Sequence, residues 1–148
     1  MQFPKEFPLA LAGLALTGVA VTFNLFRAGS FRKEAGVTYP ALYADDAEAR
    51  VDKKKHQFNC AQRGAFNVLE TYPQTLVWLA IAGLAHPRVS AGLSVAYSVG
   101  AVFFAVGYST GDPDKRYSSL GGIFRLAQLG SIVGAAAASY ELITAALK

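Results

Sequence analysis

The run FPLALAGLALTGVAVTFNLF (residues 7–26) contains no charged residue and decides the fold of the chain. A helix needs about 20 apolar residues to cross the hydrocarbon core of a bilayer, so this run predicts a membrane span. Residues 89–111 form a second uncharged run of sufficient length. Shorter uncharged runs, 71–87 and 126–140, are extended by apolar neighbours. We therefore predict an all-α membrane protein in which four transmembrane helices form a bundle.

Composition agrees with this class. The chain has 148 residues, of which 53% are hydrophobic and 16% charged, and its mean hydropathy is +0.29. Lys5 followed by an apolar run also resembles a cleaved signal peptide, but the run is too long for a typical apolar signal region. Cys60 is the only cysteine, which excludes an internal disulfide.

The basic residues are distributed unevenly. Of the 14 Lys and Arg residues, eight lie between Arg27 and Arg63. The loops after the first and third predicted spans, together with the adjoining starts of the second and fourth helices, hold all the basic residues except Lys5, Arg88 and Lys148. By the positive-inside rule these loops face the cytosol, and both termini face the lumen or exterior.

Turn signals divide the single domain into helices at about 8–26, 58–86, 89–108 and 120–146. The second helix ends at His86-Pro87, because a residue before proline is pushed out of helical geometry. The second and third helices should thus form a tight antiparallel hairpin.

Two rows of small residues predict close helix packing, within the chain or between chains. Gly92, Ala96 and Gly100 are spaced four apart in the third helix, and Gly130 and Gly134 form a GxxxG arrangement in the fourth.

A polar stripe marks the second helix. Arg63, Asn67, Glu70 and Gln74 are spaced so that they share one helical face. At about 1.5 Å per residue Glu70 lies roughly 10 Å deeper than Arg63. A charge at such depth costs about 2.5 to 3.5 kcal/mol, which predicts a functional site in a protein interior or wet cavity. The alternative is that Glu70 pairs with an arginine, Arg63 or Arg125 among others, only to lock helices together.

Three motifs resemble those of one family. FNCxQRxxxNxLExYP (58–73), HPR (86–88) and GYxTGxPxKR (107–116) are similar, in order and spacing, to the membrane-associated proteins in eicosanoid and glutathione metabolism, the MAPEG family. The type-three microsomal glutathione transferases are the most similar subgroup. The resemblance implies a homotrimer that uses glutathione as co-substrate, bound between subunits near the cytosol.

The resemblance also implies roles for individual residues. The glutathione peptide would be held by Arg63, Asn67, Glu70 and Tyr108, with Arg32 or Lys33 reaching in from a neighbouring subunit. The thiolate would be held by Arg116 or, if the turn aligns one residue differently, by Lys115. Phe104, counted with the glutathione site, replaces a tyrosine of leukotriene-forming relatives, and Ala65 and Thr71 replace polar residues of those relatives. These departures argue against leukotriene synthesis more than against glutathione binding.

The chemistry of glutathione fits such a residue set. The tripeptide carries two carboxylates and one ammonium, so its site needs several cations and a carboxylate. Arginine donates two parallel hydrogen bonds to a carboxylate, and Glu70 suits the ammonium. A guanidinium near sulfur favours the nucleophilic thiolate over the thiol, whose free pKa is about 8.5.

These observations predict a glutathione transferase and glutathione-dependent peroxidase that acts on lipophilic electrophiles or lipid hydroperoxides. It would lie in the endoplasmic reticulum or outer mitochondrial membrane, with its site facing the cytosol. The alternatives are a non-catalytic protein that presents lipids and a small proton-coupled exporter with Glu70 as its carrier. His56 and His86 lack metal-ligand spacing, so we expect no metal, and we expect no nucleic acid partner.

Overall fold

The computed structural model describes residues 3–148, in which the regular structure is entirely helical. The elements are α1 (Phe7–Ala35), α2 (Asp46–Val51), α3 (Lys53–Ala85), α4 (Pro87–Tyr108), a 3₁₀ helix (Pro113–Tyr117) and α5 (Ile123–Ala146).

Three of these helices, α1, α4 and α5, are long and apolar enough to cross a membrane. The prediction of an all-α integral membrane protein is thus confirmed. At 33 residues α3 is the longest helix, but polar residues such as Glu70 and Gln74 interrupt its apolar half. A membrane crossing by α3 stays a prediction.

Two helices extend beyond their predicted bounds into segments that contain charged residues. α1 continues past Phe26 to Ala35 and ends at Gly36, whose φ of 65° is the left-handed conformation typical of a glycine cap. α3 begins at Lys53 because the Asp52 carboxylate accepts a hydrogen bond of 2.8 Å from the Lys54 amide. Asp45 caps α2 in the same way. The polar segment predicted as a loop is therefore partly helical.

The four long helices pack side by side. α4 contacts α1, α3 and α5, whereas α1 and α5 lie on opposite sides of the α3–α4 pair. Only His86 separates α3 from α4, as the predicted hairpin requires.

The core combines aromatic and small side chains. Tyr97, Phe104 and Phe124 are fully buried where α4 meets α5, with Val68 of α3 against them. Elsewhere α4 buries serines whose hydroxyls donate to carbonyl oxygens; Ser94, for example, donates to the Ser90 carbonyl at 2.8 Å. These bonds satisfy polar groups that lipid would leave unpaired.

Most of the predicted small residues mediate close approach within the chain. A Cβ atom on Gly100 would overlap the backbone nitrogen of Phe124, so α4 and α5 nearly touch there. A Cβ on Gly130 would lie 2.8 Å from the side chain of Leu93. Gly92, by contrast, has no such neighbour within 4 Å.

This difference predicts opposite outcomes for the same substitution in one helix. Gly100→Ala should lower the stability by about 1 to 3 kcal/mol, because the atoms it meets belong to a backbone that has no room to move. Gly92→Ala should be neutral or slightly stabilising, since alanine favours the helix. Thermal unfolding in detergent, followed by circular dichroism, measures both. Equal melting temperatures for the two variants would contradict the packing described.

Candidate functional site

The predicted functional residues gather at one end of the helices. At this end, which we call the loop end, α1 and α4 end and α3 and α5 begin.

The polar stripe of α3 lies on the outer surface of the chain. Arg63 Nη1 and Glu70 Oε1 form an ion pair of 2.6 Å, with side chains 44% and 50% exposed. Asn67 lies between them and donates a hydrogen bond of 3.0 Å to the Arg63 carbonyl oxygen. The predicted grouping of these three residues on one face is therefore present in the structure.

A purely structural role for the ion pair does not fit this geometry. Arg63 and Glu70 belong to the same helix, so their pairing connects no two helices. The link between helices is made instead by uncharged groups: Gln128 of α5 donates to Thr75 of α3 at 3.1 Å. Arg125, an alternative partner for Glu70, donates to Gln128 at 2.8 Å.

An open cleft of about 510 Å³ lies at the loop end, where α2 faces α3. From α3 the cleft is lined by residues at and before Arg63, toward the start of the helix, and from the end of α4 it is lined by Tyr108. The residues that line the cleft are Tyr43, Asp46, Ala49, Arg50, His56, Asn59, Cys60, Arg63, Tyr108 and Pro113.

The wall of the cleft that contains α2 is fixed by two pairs of hydrogen bonds. Asn59 Oδ1 accepts from the Ala44 amide at 2.8 Å, and Asn59 Nδ2 donates to the Ala44 carbonyl at 3.0 Å. Arg32 donates to the carbonyls of Ala41 (2.6 Å) and Leu42 (3.2 Å).

Arg32 is thus committed to its own chain. It is buried, and its guanidinium lies 4.5 Å from the ring centre of Tyr39 and 4.7 Å from that of Phe58. The role predicted for it in the site of a neighbouring subunit stays a prediction. Lys33, the other residue named for that role, is exposed.

Arg116 is held between two tyrosine rings. Its guanidinium lies 5.7 Å from the ring centre of Tyr108 and 4.7 Å from that of Tyr117, and it donates to the Pro113 carbonyl at 2.5 Å. The turn packs so closely on α4 that a Cβ on Gly107 would overlap the Lys115 carbonyl. This approach brings Arg116 over Tyr108.

Lys115 has a different environment from Arg116. Its side chain is 58% exposed and its only ion-pair partner in residues 3–148, Asp112, lies 3.9 Å away. Of the two candidates for the thiolate, Arg116 is therefore the one whose position is fixed by packing.

Phe104 lies beneath these rings and not on the surface of the site. It is 1% exposed and packs edge-on against Tyr108 and Tyr117, at centroid distances of 6.0 and 5.7 Å. Phe104 supports the rings that hold Arg116, and its contact with glutathione stays a prediction. Tyr117 was missed at the sequence level, where an aromatic residue directly after Arg116 was the available signal.

The two guanidiniums near Tyr117 alter its acidity. Arg116, and then Arg125, lower the pKa of the Tyr117 phenol below its ordinary value because cations stabilise the phenolate. The same contact raises the pKa of Arg116. The immediate surroundings of Tyr117 therefore favour an anion.

His56, the histidine that lines the cleft, is hydrogen-bonded to the turn after α4. His56 Nε2 lies 2.8 Å from the Gly111 carbonyl oxygen and 3.8 Å from the sulfur of Cys60. In residues 3–148 no three His, Cys, Asp or Glu side chains converge on a position suited to a metal ion.

The sequence also matches a known protein family. The model of the MAPEG family matches residues 9–138. The chain belongs to the MAPEG family. The family includes glutathione transferases and related membrane proteins, and some of its members are not catalytic. The family assignment made from the three motifs is confirmed.

The acidity of Tyr117 in this MAPEG protein is measurable. An ultraviolet titration of tyrosinate absorbance, with Tyr117→Phe to assign the signal, should show Tyr117 ionising below the ordinary pKa of 10.0. Arg116→Gln should raise that pKa, and Arg125→Gln should raise it less, because Arg116 contributes more. A Tyr117 pKa that is the same in all three backgrounds would show that the guanidiniums do not face the phenol.

Proposed function

We propose that this MAPEG protein is a membrane-bound glutathione transferase that also reduces lipid hydroperoxides with glutathione. It most resembles the type-three microsomal subgroup in its motifs. The observation that carries the proposal is the position of Arg116: its guanidinium lies against the rings of Tyr108 and Tyr117, and Tyr108 in turn lines the cleft together with Arg63.

The chemistry depends on the thiolate of glutathione. Arg116 stabilises the sulfur anion, and each unit by which the thiol pKa falls corresponds to about 1.4 kcal/mol of differential stabilisation. In the transferase reaction with an aryl halide, the thiolate attacks the carbon that carries the halogen, a carbon–sulfur bond forms, and the carbon–halogen bond breaks as halide leaves with its electron pair. In the peroxidase reaction two glutathione molecules reduce one hydroperoxide to an alcohol and water and become the disulfide. Arg63, Asn67, Glu70 and Tyr108 hold the peptide.

A homotrimer explains how the polar stripe is tolerated in a membrane. Arg63 and Glu70 are exposed on the outer face of the chain, where contact with lipid would cost about 2.5 to 3.5 kcal/mol for each charge. We propose that all four long helices cross the membrane and that a neighbouring protomer covers this face. The covered face would be the water-filled glutathione site, open to the cytosol, and the exposed Lys33 of the neighbour suits its rim.

A second candidate function is presentation of a lipid without catalysis. A groove of about 350 Å³ between α1 and α4 is lined almost entirely by apolar groups, with Phe23 and Phe103 as its largest side chains. Such a groove suits an acyl chain. Calorimetric titration with glutathione separates the two functions, because a lipid presenter should give no saturable heat.

The assignment of the thiolate cation predicts unequal effects for two adjacent residues. Arg116→Ala should lower kcat with a hydrophobic aryl halide by about 100-fold, the usual cost of removing a donor to a developing or reactive anion. The dissociation constant for glutathione should change far less. Steady-state kinetics of the purified protein in detergent, together with calorimetry, provide both values.

Lys115→Ala is the matched control, since it removes the same charge from the neighbouring residue. It should retain most of the activity. If both variants turn over at the rate of the unsubstituted protein, neither side chain holds the thiolate and the mechanism is wrong.

A further inference from the structure

The groove between α1 and α4 continues to a polar cavity at the end of the helices opposite the loop end. Its inner part is the apolar cavity of about 350 Å³ that contains Phe23 and Phe103. A second cavity of about 350 Å³, which includes Leu9 and Arg88, shares Leu16 with the first. A third cavity, of about 340 Å³, shares Arg88 with the second. The residues that line this third cavity are Glu6, His86, Pro87, Arg88 and Val89.

Small residues form the floor of this groove. Gly13 of α1 lies so close to Ser94 of α4 that a Cβ atom on Gly13 would be 2.9 Å from the Ser94 Cβ atom. Further along, Ala20 and Ser98 are each 4% exposed. The larger apolar side chains of the walls are all exposed: Leu16, Val19, Phe23, Val95, Val99 and Phe103. The groove is thus a channel with apolar walls that residues 3–148 leave open.

The groove is long enough for an acyl chain of one membrane leaflet. α1 and α4 both begin at the polar cavity, where Glu6 meets Arg88, and both are apolar enough to cross a membrane. From Leu9 to Phe23 the helix rises by about 21 Å, at about 1.5 Å per residue. One leaflet contributes half of the hydrocarbon core, about 15 Å. An acyl chain that enters beside Leu9 therefore ends within the groove.

The polar cavity contains two groups of opposite charge. Arg88 Nη2 lies 2.8 Å from Glu6 Oε1, and the two side chains are 78% and 41% exposed. Solvent weakens an exposed pair of this kind, so both groups are able to interact with the charges of a ligand. The neighbouring His86 lies 3.3 Å from Glu141 of α5. The cavity thus presents a cation and a carboxylate side by side.

This charge pattern fits a zwitterionic phospholipid better than an anionic one. The guanidinium fork of Arg88 matches a phosphate, to which it donates two parallel hydrogen bonds. The carboxylate of Glu6 matches an ammonium that follows the phosphate. A headgroup such as phosphatidylglycerol has no ammonium and would place only negative charge beside Glu6.

We propose that the groove between α1 and α4 binds one phospholipid with a zwitterionic headgroup. Its phosphate contacts Arg88, its ammonium contacts Glu6, and one acyl chain extends between α1 and α4 toward Phe103. The lipid lies in the leaflet opposite the loop end, so its site is separate from the cleft. The proposal assigns the groove to a resident lipid of the bilayer and does not depend on glutathione chemistry.

Native mass spectrometry of the protein released from nanodiscs tests the headgroup site. From nanodiscs with equal amounts of phosphatidylethanolamine and phosphatidylglycerol, the chain should retain phosphatidylethanolamine about tenfold more often, as expected for one charged hydrogen-bonded contact. Arg88→Gln should lower this retention by about tenfold for the same reason. Glu6→Gln should remove the preference over phosphatidylglycerol. Lys5→Gln is the charge-matched control, because Lys5 is exposed at the same end and lines none of the three cavities.

Ala12→Leu tests the acyl groove in the same experiment. Ala12 lines the second cavity and is exposed, so leucine would fill the groove without entering the core. The variant should lose the retained phospholipid, whereas Ala136→Leu, the same change at an exposed position of α5, should keep it. Equal retention of the two lipids by the unsubstituted protein, or unchanged retention in Ala12→Leu, would overturn the proposal.

A second copy of the chain is the competing occupant of the groove. Val95 lines the groove and is 48% exposed. A benzophenone attached at Val95→Cys, in a Cys60→Ala background, should form photocrosslinks to phospholipid in proteoliposomes. Crosslinks to a second chain in place of lipid would show that another protomer covers the groove, and the lipid site would not exist.

Discussion

Arg63 and Glu70 form an ion pair on the outer face of α3, in a chain whose other long helices are apolar enough to cross a membrane. A bilayer does not solvate such a pair, and the chain does not bury it. In the proposed arrangement, in which α3 crosses the membrane, the pair requires a covering surface that admits water. This requirement accounts for the proposed trimer, the proposed site between protomers, and the need for a polar ligand there.

The fold supports this face from behind. Phe104 is the centre of an aromatic cluster that joins α4, α5 and the turn between them. Gly107 lets the turn approach the end of α4, and Tyr108 and Tyr117 hold Arg116 between their rings. Packing thus fixes the position of Arg116. Its acidic neighbour, Asp114, lies 3.4 Å away and is 98% exposed, so this ion pair is weakened by solvent and leaves the guanidinium able to interact with another anion. A cation with this support stabilises an anion without first reorganising.

Helical periodicity predicted the polar face of α3, but it could not predict the positions of Arg32 and Tyr117. Arg63, Asn67 and Glu70 share a face because of their spacing alone, so any helix there would align them. The role of Arg32 depends on a loop that returns over α1, and the role of Tyr117 depends on a 3₁₀ turn; neither follows from local periodicity. The charged residues after α1 predict a polar segment. Its helices depend on the N-caps Asp45 and Asp52, which a count of charges does not distinguish from other acidic residues.

The most direct test of this account is the environment of the α3 face in a membrane. A spin label at Asn67→Cys, in a Cys60→Ala background, reports its exposure to oxygen, which concentrates in lipid, and to a water-soluble nickel chelate. The account predicts access to the nickel chelate and shielding from oxygen at this position in proteoliposomes, with the reverse at Val133→Cys on the exposed apolar face of α5. High oxygen access with no access to the chelate at position 67 would mean that the stripe faces acyl chains, and the glutathione site proposed there would not exist.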